Sequence, residues 1–216
     1  MTVELIDHMG TDLSVVNAAR VSFGKKHTEM TKGDVGLIKF LGKHGHWTPF
    51  GHCTLSYHIK APIFVARQLV KHQVGLVWNE ISRRYVDDDP EFWYPEHWRA
   101  RAEDKKQGSN DDEHVDWLDR TERTGGRVAK TCKFAMHTYK TLLEAGVCPE
   151  QARMILPQNT YTEWYWTGSL YAFSRVCNLR CKDDTQKETR DVAWEIHDLA
   201  KEKFPVSWES LFYANI

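Results

Sequence analysis

Apolar positions first recur with a helical period. Val15, Val16, Ala19 and Phe23 form a rough stripe behind Thr11 or Asp12, either of which can cap, so a helix is predicted over 12–22. A second helix follows, with Asp34 as its cap, Leu37, Ile38 and Leu41 on one face and Gly45 at its end. The period then changes to two. Cys53, Leu55, Tyr57 and Ile59 alternate with His52, Thr54, Ser56, His58 and Lys60, the pattern of a half-buried antiparallel strand. Pro62 reads as the first turn of a helix, APIFVARQLVKH, where its missing N–H costs nothing. The stretch QVGLVWNEISRRY shows neither period and reads as irregular.

Residues 99–113 are densely charged and contain Gly and Ser, which predicts a solvated loop or mobile insertion within one domain spanning 1–216. A long helical region is expected over 116–145, broken or interrupted at Gly125 and Gly126. Pro149 opens a further helix, PEQARMIL, which Pro157 stops. NTYTEWYWTG reads as a strand or extended segment, and SLYAFSRVCNLR as a helix. Asp183 or Asp184 caps the last long helix, which runs to about Lys203, and SWESLFYANI forms a short helix or tail. Helices dominate, with one or a few antiparallel strands and no repeat, so the class is α+β around a single core.

Charge narrows the partners. The 216-residue chain carries 29 basic and 30 acidic residues, a formal net charge of −1, whereas proteins that grip duplex DNA are usually more basic. The five cysteines are scattered and do not form a disulfide framework, which suits a reducing compartment. Cys177 and Cys181 are four apart; they read as two buried thiols or as half of a metal site, and no metal is assigned. The N-terminus lacks a basic start followed by an apolar run, and no segment has the length of a membrane span, so a cytoplasmic protein is expected.

Three clusters carry candidate chemistry. ARQLVKHQ holds Arg67, Gln68, Lys71 and His72 near a helix end. NEISRRY packs Asn79, Glu80, Ser82, Arg83 and Arg84 together. The C-terminal third adds Arg153 and Arg180, each beside an apolar run. Each has an ordinary alternative: Arg67 and Lys71 as a solvated helix edge, Ser82 as a turn residue, the arginines as surface charges. Ser and Arg with backbone N–H groups are nonetheless what a phosphate needs. Glu80 would repel an anion, so it must orient an arginine or accept from a ribose hydroxyl. Neither a Gly-rich dinucleotide fingerprint nor a P-loop is present. The residues by themselves reach as far as an anionic small-molecule site.

The order AARVSFG, HGHWTPFGH, APIFVARQLVKH, NEISRRY, ARMILPQNTYTEWYWT and NLRCKDDTQ resembles the flavin-dependent thymidylate synthases, from about Ala18 to Gln186. That resemblance implies an α/β (α+β) fold with a central antiparallel sheet flanked by helices, assembled as a homotetramer whose active sites draw on more than one subunit. It implies reductive methylation of dUMP to dTMP, with FAD as cofactor and NADPH and methylenetetrahydrofolate as co-substrates. The family signature is Arg-His-Arg, seven residues, then Ser; here Lys71-His72-Gln73 is followed by eight residues and Ser82. One extra residue therefore falls between Gln73 and Trp78.

By the same resemblance, Gln68, Lys71, Glu80, Ser82, Arg83, Arg84 and Arg153 line the dUMP site, and Arg180 lies against the uracil as the catalytic residue. Ser22, Thr48, Lys71, His72, Gln73, Ser169, Tyr171 and Arg175 take the FAD positions. Lys71 and Gln73 stand where the family has arginines, and an ammonium lacks the planar fork of a guanidinium. Three rivals stay open. One is a related flavoenzyme that hydroxymethylates dUMP. Another is a non-enzymatic nucleic-acid-binding module, suggested by tryptophans interleaved with basic residues and opposed by the near-neutral charge. The third is a catalytically dead flavoprotein.

Overall fold

The computed structural model describes residues 1–86, 88–103 and 109–213. The elements run β1 (Thr2–Met9), α1 (Asp12–Arg20), α2 (Lys32–Lys43), β2 (Thr54–Pro62), α3 (Ile63–Leu69), β3 (Leu76–Glu80), β4 (Arg99–Arg101), β5 (Ser109–His114), α4 (Thr124–Glu144), α5 (Pro149–Ala152), β6 (Tyr161–Ser169), α6 (Leu170–Arg180), α7 (Lys187–Lys203) and α8 (Pro205–Leu211). Four strands form a central antiparallel sheet in the order β1-β2-β6-β3, and β4 pairs with β5 separately. The α+β expectation holds.

Two compact units emerge: Met1–Ile59 with Leu69–Asn79 and Trp164–Ile216, and Lys60–Gln68 with Glu80–Glu163. The core of the first follows from strict alternation in β2, where Leu55, Tyr57 and Ile59 are fully buried. Trp164 and Trp166 of β6 are buried likewise. Phe173 of α6 meets Tyr57 and Trp166 edge-on, with ring centroids 4.9 and 5.2 Å apart. The carboxylate of Asp12 accepts the backbone N–H groups of Val206 and Ser207 at 3.0 and 2.8 Å, which holds the start of α8 against α1. In the second unit α4 packs on α5 and on the short turn Arg153–Ile155.

Several expectations need correction. β1 escaped notice because only Val3 and Leu5 are turned inward, and its other positions are polar or exposed. QVGLVWNE is not irregular: Leu76–Glu80 is a strand beside β6, and Trp78 stacks on Trp164 at 4.4 Å. That pairing is tertiary and leaves no period in five residues. Thr31, not Asp34, caps α2; its Oγ1 accepts the N–H of Asp34 at 3.2 Å. Pro62 ends β2 and does not open α3. α4 begins at Thr124, so Gly125 and Gly126 sit in its first turn and do not interrupt it. Gln186, not Asp183 or Asp184, is the cap position of α7. Within the expected loop at 99–113, Arg99–Arg101 and Ser109–His114 pair antiparallel, and 104–108 lie outside the described residues.

Candidate active site

In the first unit the site is assembled around α6. Ser169 caps that helix, its Oγ accepting the N–H of Ala172 at 3.1 Å. The turn Gln73–Leu76 lies directly against this cap, with the N–H of Ser169 donating to the Gly75 carbonyl at 3.3 Å. Two glycines allow the approach. Gly75 has φ +78, and a Cβ on Gly168 would come within 2.5 Å of the Gly75 oxygen. His72 is thereby brought to the far end of α6, where Arg180 donates from Nε to its Nε2 at 2.9 Å.

That bond fixes the chemistry of His72. A guanidinium only donates, so Nε2 must be the acceptor and the ring must be neutral. Burial, then the charges of Arg180 and Arg175, push the His72 pKa down to about 4. Burial also lowers the Arg180 pKa, but a guanidinium stays charged at any working pH. Lys71 and Gln73, on either side of His72, are exposed.

Nearer the start of α6, Tyr171 stacks on Trp47, with ring centroids 5.5 Å apart and planes tilted 30°. Beside this pair is a cavity of about 180 Å³ lined by Trp47, Phe50, Tyr171, Arg175, Asn178 and Tyr213, among others. Thr48 is exposed on the short helical turn that follows Trp47. Ser22 is exposed on another such turn, between Val21 and Phe23, which are 72% and 78% exposed. Two residues before Ser22, Arg20 donates to Asp34 at 2.6 Å. Burial pushes the Asp34 carboxyl up, but hydrogen bonds from His27, Thr31 and Arg20 outweigh it and hold the group well below the usual carboxylate range.

In the second unit NEISRRY closes into a turn, with the N–H groups of Tyr85 and Val86 both donating to the Ser82 carbonyl. Arg84 folds back, its Nε donating to Ser82 Oγ at 3.1 Å. Hydroxyl and guanidinium thus form one polar group of the kind that binds a phosphate. Arg83 turns elsewhere, to the backbone carbonyl of Asp88 at 2.9 Å. Glu80 accepts from the Thr162 hydroxyl at 2.6 Å, and Gln68 is half-buried near the end of α3. Arg153 is exposed and turns back to α5, donating from Nε to the Glu150 carbonyl at 3.3 Å.

The family described as thymidylate synthase complementing protein matches residues 4–206. A flavin-dependent thymidylate synthase of Thermosipho africanus is 39% identical over 210 residues, 96% of this chain and 89% of that one. One from Thermus thermophilus is 40% identical over 210 residues, 95% of this chain and 73% of that one. The chain belongs to the flavin-dependent thymidylate synthase family. Its fold also matches a UMP/dUMP methylase, PolB, from Streptomyces cacaoi bound with 5-Br dUMP, with TM-score 0.80, 28% identity, and coverage of 97% of this chain and 93% of that one.

Set against that family, the expected residues fall into groups that contacts define. His72 and Arg180 are joined, as are Ser82 and Arg84. Tyr171 and Arg175 share one cavity. Arg83 and Arg153 are each engaged locally. Trp47 was missed, although it directly precedes Thr48 in HGHWTPFGH; a tryptophan in a His- and Gly-rich turn was the signal available, and the structure leaves it exposed. Cys177 and Cys181 are buried, and Cys177 Sγ donates to the Ala193 carbonyl at 3.5 Å, so packing accounts for both.

Proposed function

We propose that this chain catalyses the reductive methylation of dUMP to dTMP, with FAD as cofactor, methylenetetrahydrofolate as carbon donor and NADPH as reductant. Membership of the flavin-dependent thymidylate synthase family carries the reading. The aromatic pair Trp47–Tyr171, with Arg175 at the same cavity, suits a planar anionic ligand such as a flavin nucleotide. Bound FAD supplies the redox chemistry, and the protein binds, orients and polarises. Ser22, Thr48, Lys71, His72, Gln73, Ser169, Tyr171 and Arg175 serve it.

Gln68, Lys71, Glu80, Ser82, Arg83, Arg84 and Arg153 serve the nucleotide, with the Ser82–Arg84 pair on its phosphate. Arg180 stabilises negative charge on the uracil, the work of a preorganised donor. Neutral His72 accepts from Nε of Arg180 and so orients the guanidinium plane. The homotetramer and the cytoplasmic location belong to the same reading; no described helix is long and apolar enough to cross a membrane.

The test is to incubate purified protein with dUMP, methylenetetrahydrofolate and NADPH and weigh the nucleotide product. A yellow protein that bleaches with NADPH and forms dTMP is expected. Colourless protein and unchanged dUMP would overturn the proposal. The departure Lys71-His72-Gln73 from the Arg-His-Arg signature motivates a second reading, hydroxymethylation of dUMP. The product mass separates the two in the same run.

A further inference from the structure

The second unit carries a side-chain cluster that the nucleotide chemistry does not use. We propose that His97, His114 and Asp116 form a binding site for a divalent first-row transition-metal ion of the Zn²⁺ type. Each residue offers one ligand atom, and all three atoms lie within 4.8 Å of one another. His97 Nδ1 is 3.2 Å from Asp116 Oδ2. Ligand atoms around a tetrahedral ion with bonds of about 2.0–2.2 Å stand roughly 3.3–3.5 Å apart. The His97–Asp116 spacing falls about 0.1 Å short of this range. The exposed His114 ring stacks on His97 and must turn out of that stack to aim its lone pair at the same ion.

The backbone holds these positions. Arg99 is the register partner of His114 across β4 and β5. The N–H of Val115 donates to the Trp98 carbonyl at 2.6 Å, and the N–H of Trp98 donates to Asp116 Oδ1 at 3.0 Å. The second contact leaves Oδ2 as the carboxylate oxygen directed to His97, an outer contact of the kind that orients metal ligands. The N–H of Thr124, at the start of α4, donates to the Asp116 carbonyl at 3.0 Å. The two imidazoles stack with centroids 4.5 Å apart and planes 5° from parallel. Side-chain exposures of 51% for His97 and 38% for Asp116 leave an ion a way in and a fourth position for water.

The donor set selects the ion class. Two imidazoles and one carboxylate suit Zn²⁺, Co²⁺ or Fe²⁺, whereas Mg²⁺ and Ca²⁺ prefer all-oxygen sites. A surface His–Asp pair contributes little by itself. What the pair alone does not use is the second imidazole within 4.8 Å of it, which completes a three-ligand set.

The test uses untagged full-length protein, stripped with a chelator and titrated calorimetrically with Zn²⁺ alone. One equivalent per chain is expected in wild type. His114→Ala and Asp116→Asn should each weaken binding at least about tenfold, and the exposed His137→Ala control should bind like wild type. Co²⁺ provides a second readout: visible d–d absorption in wild type, lost in His114→Ala, whose exposed side chain is removable without unfolding the ribbon. Absence of a saturable equivalent would overturn the proposal. So would an equivalent that survives unchanged in the His97→Ala/His114→Ala double variant.

Discussion

Arg180 Nε donates to His72 Nε2 at 2.9 Å, and this bond ties the last residue of α6 to the turn after α3. The imidazole is an acceptor there, so protonating it removes the bond and places a cation beside Arg180 and Arg175. His72 should therefore titrate near pH 4, well below an ordinary histidine at 6.5. Above pH 6.5 the ring is neutral in folded and unfolded chains alike, and it has no effect on stability. As pH falls from about 6.5 to about 4 the unfolded chain takes the proton first, so stability is lost across that window. Titration by NMR of the ring C–H signal checks this. Arg180→Ala removes the second-largest cause and should raise the midpoint, though burial keeps it below 6.5. A wild-type midpoint near 6.5 would show that the pair does not form in solution.

Arg180→Ala should also separate the two halves of the proposed reaction. Loss of a preorganised donor costs on the order of a hundred- to thousandfold in turnover. Thymidylate formation should fall by that amount while FAD binding and its reduction by NADPH persist. Arg180→Lys should rescue poorly, because an ammonium lacks the planar fork. Assaying NADPH oxidation and dTMP on the same folded variant decides it. Near wild-type dTMP formation in Arg180→Ala would remove this residue from the mechanism.

Ser82→Ala and Arg153→Ala test the nucleotide assignments. Each should weaken dUMP binding by about 1.5–3 kcal/mol, roughly ten- to hundredfold, the usual worth of one charge-assisted contact. They differ in one respect. Ser82 is bonded to Arg84, so its loss also frees that guanidinium, whereas Arg153 donates to the Glu150 carbonyl of α5. Ser82→Ala should therefore couple to Arg84→Ala in a double-mutant cycle. Calorimetric affinities unchanged in both single variants would show the site to be misplaced.

Legibility in the sequence followed how local each signal is. The alternation in β2 was plain because one face is fully buried and the other is polar. β3 was hidden because its strand character comes from β6 alongside it, a relation between residues about 85 positions apart that no window of sequence contains. The residues around NEISRRY were recognisable as types, but their grouping was not. Nothing in Ser82-Arg83-Arg84 tells which arginine folds back on the serine and which turns to Asp88. Asp34 looked like a cap because it precedes an apolar face. Its full burial under Arg20, His27 and Thr31 depends on α1 and on the loop that leads into α2.

Gly168 offers the sharpest test of how packing reaches the site. A Cβ there would lie 2.5 Å from the Gly75 oxygen and 2.5 Å from Leu76 Cδ2. One of those atoms is backbone, so the turn Gln73–Leu76 must shift to accept Gly168→Ala. Overpacking of this kind costs about 1–3 kcal/mol, and for a chain of this size each kcal/mol lowers Tm by about 2–4 °C. The same shift moves His72, only one residue before that turn, so its titration should drift from about 4 toward 6.5 as the Arg180 contact lengthens. Gly36→Ala is the matched control. Gly36 is exposed in the middle of α2, and a Cβ there meets nothing within 4 Å. Replacing it should stabilise the protein by about 0.4–1 kcal/mol through the unfolded chain and leave His72 untouched. One chemical change thus has opposite signs at two glycines. Calorimetric melting of both variants, with the His72 titration in each, tests whether the close approach at Gly168 is what positions the histidine. A Gly168→Ala protein as stable as wild type with His72 still titrating near pH 4 would refute it.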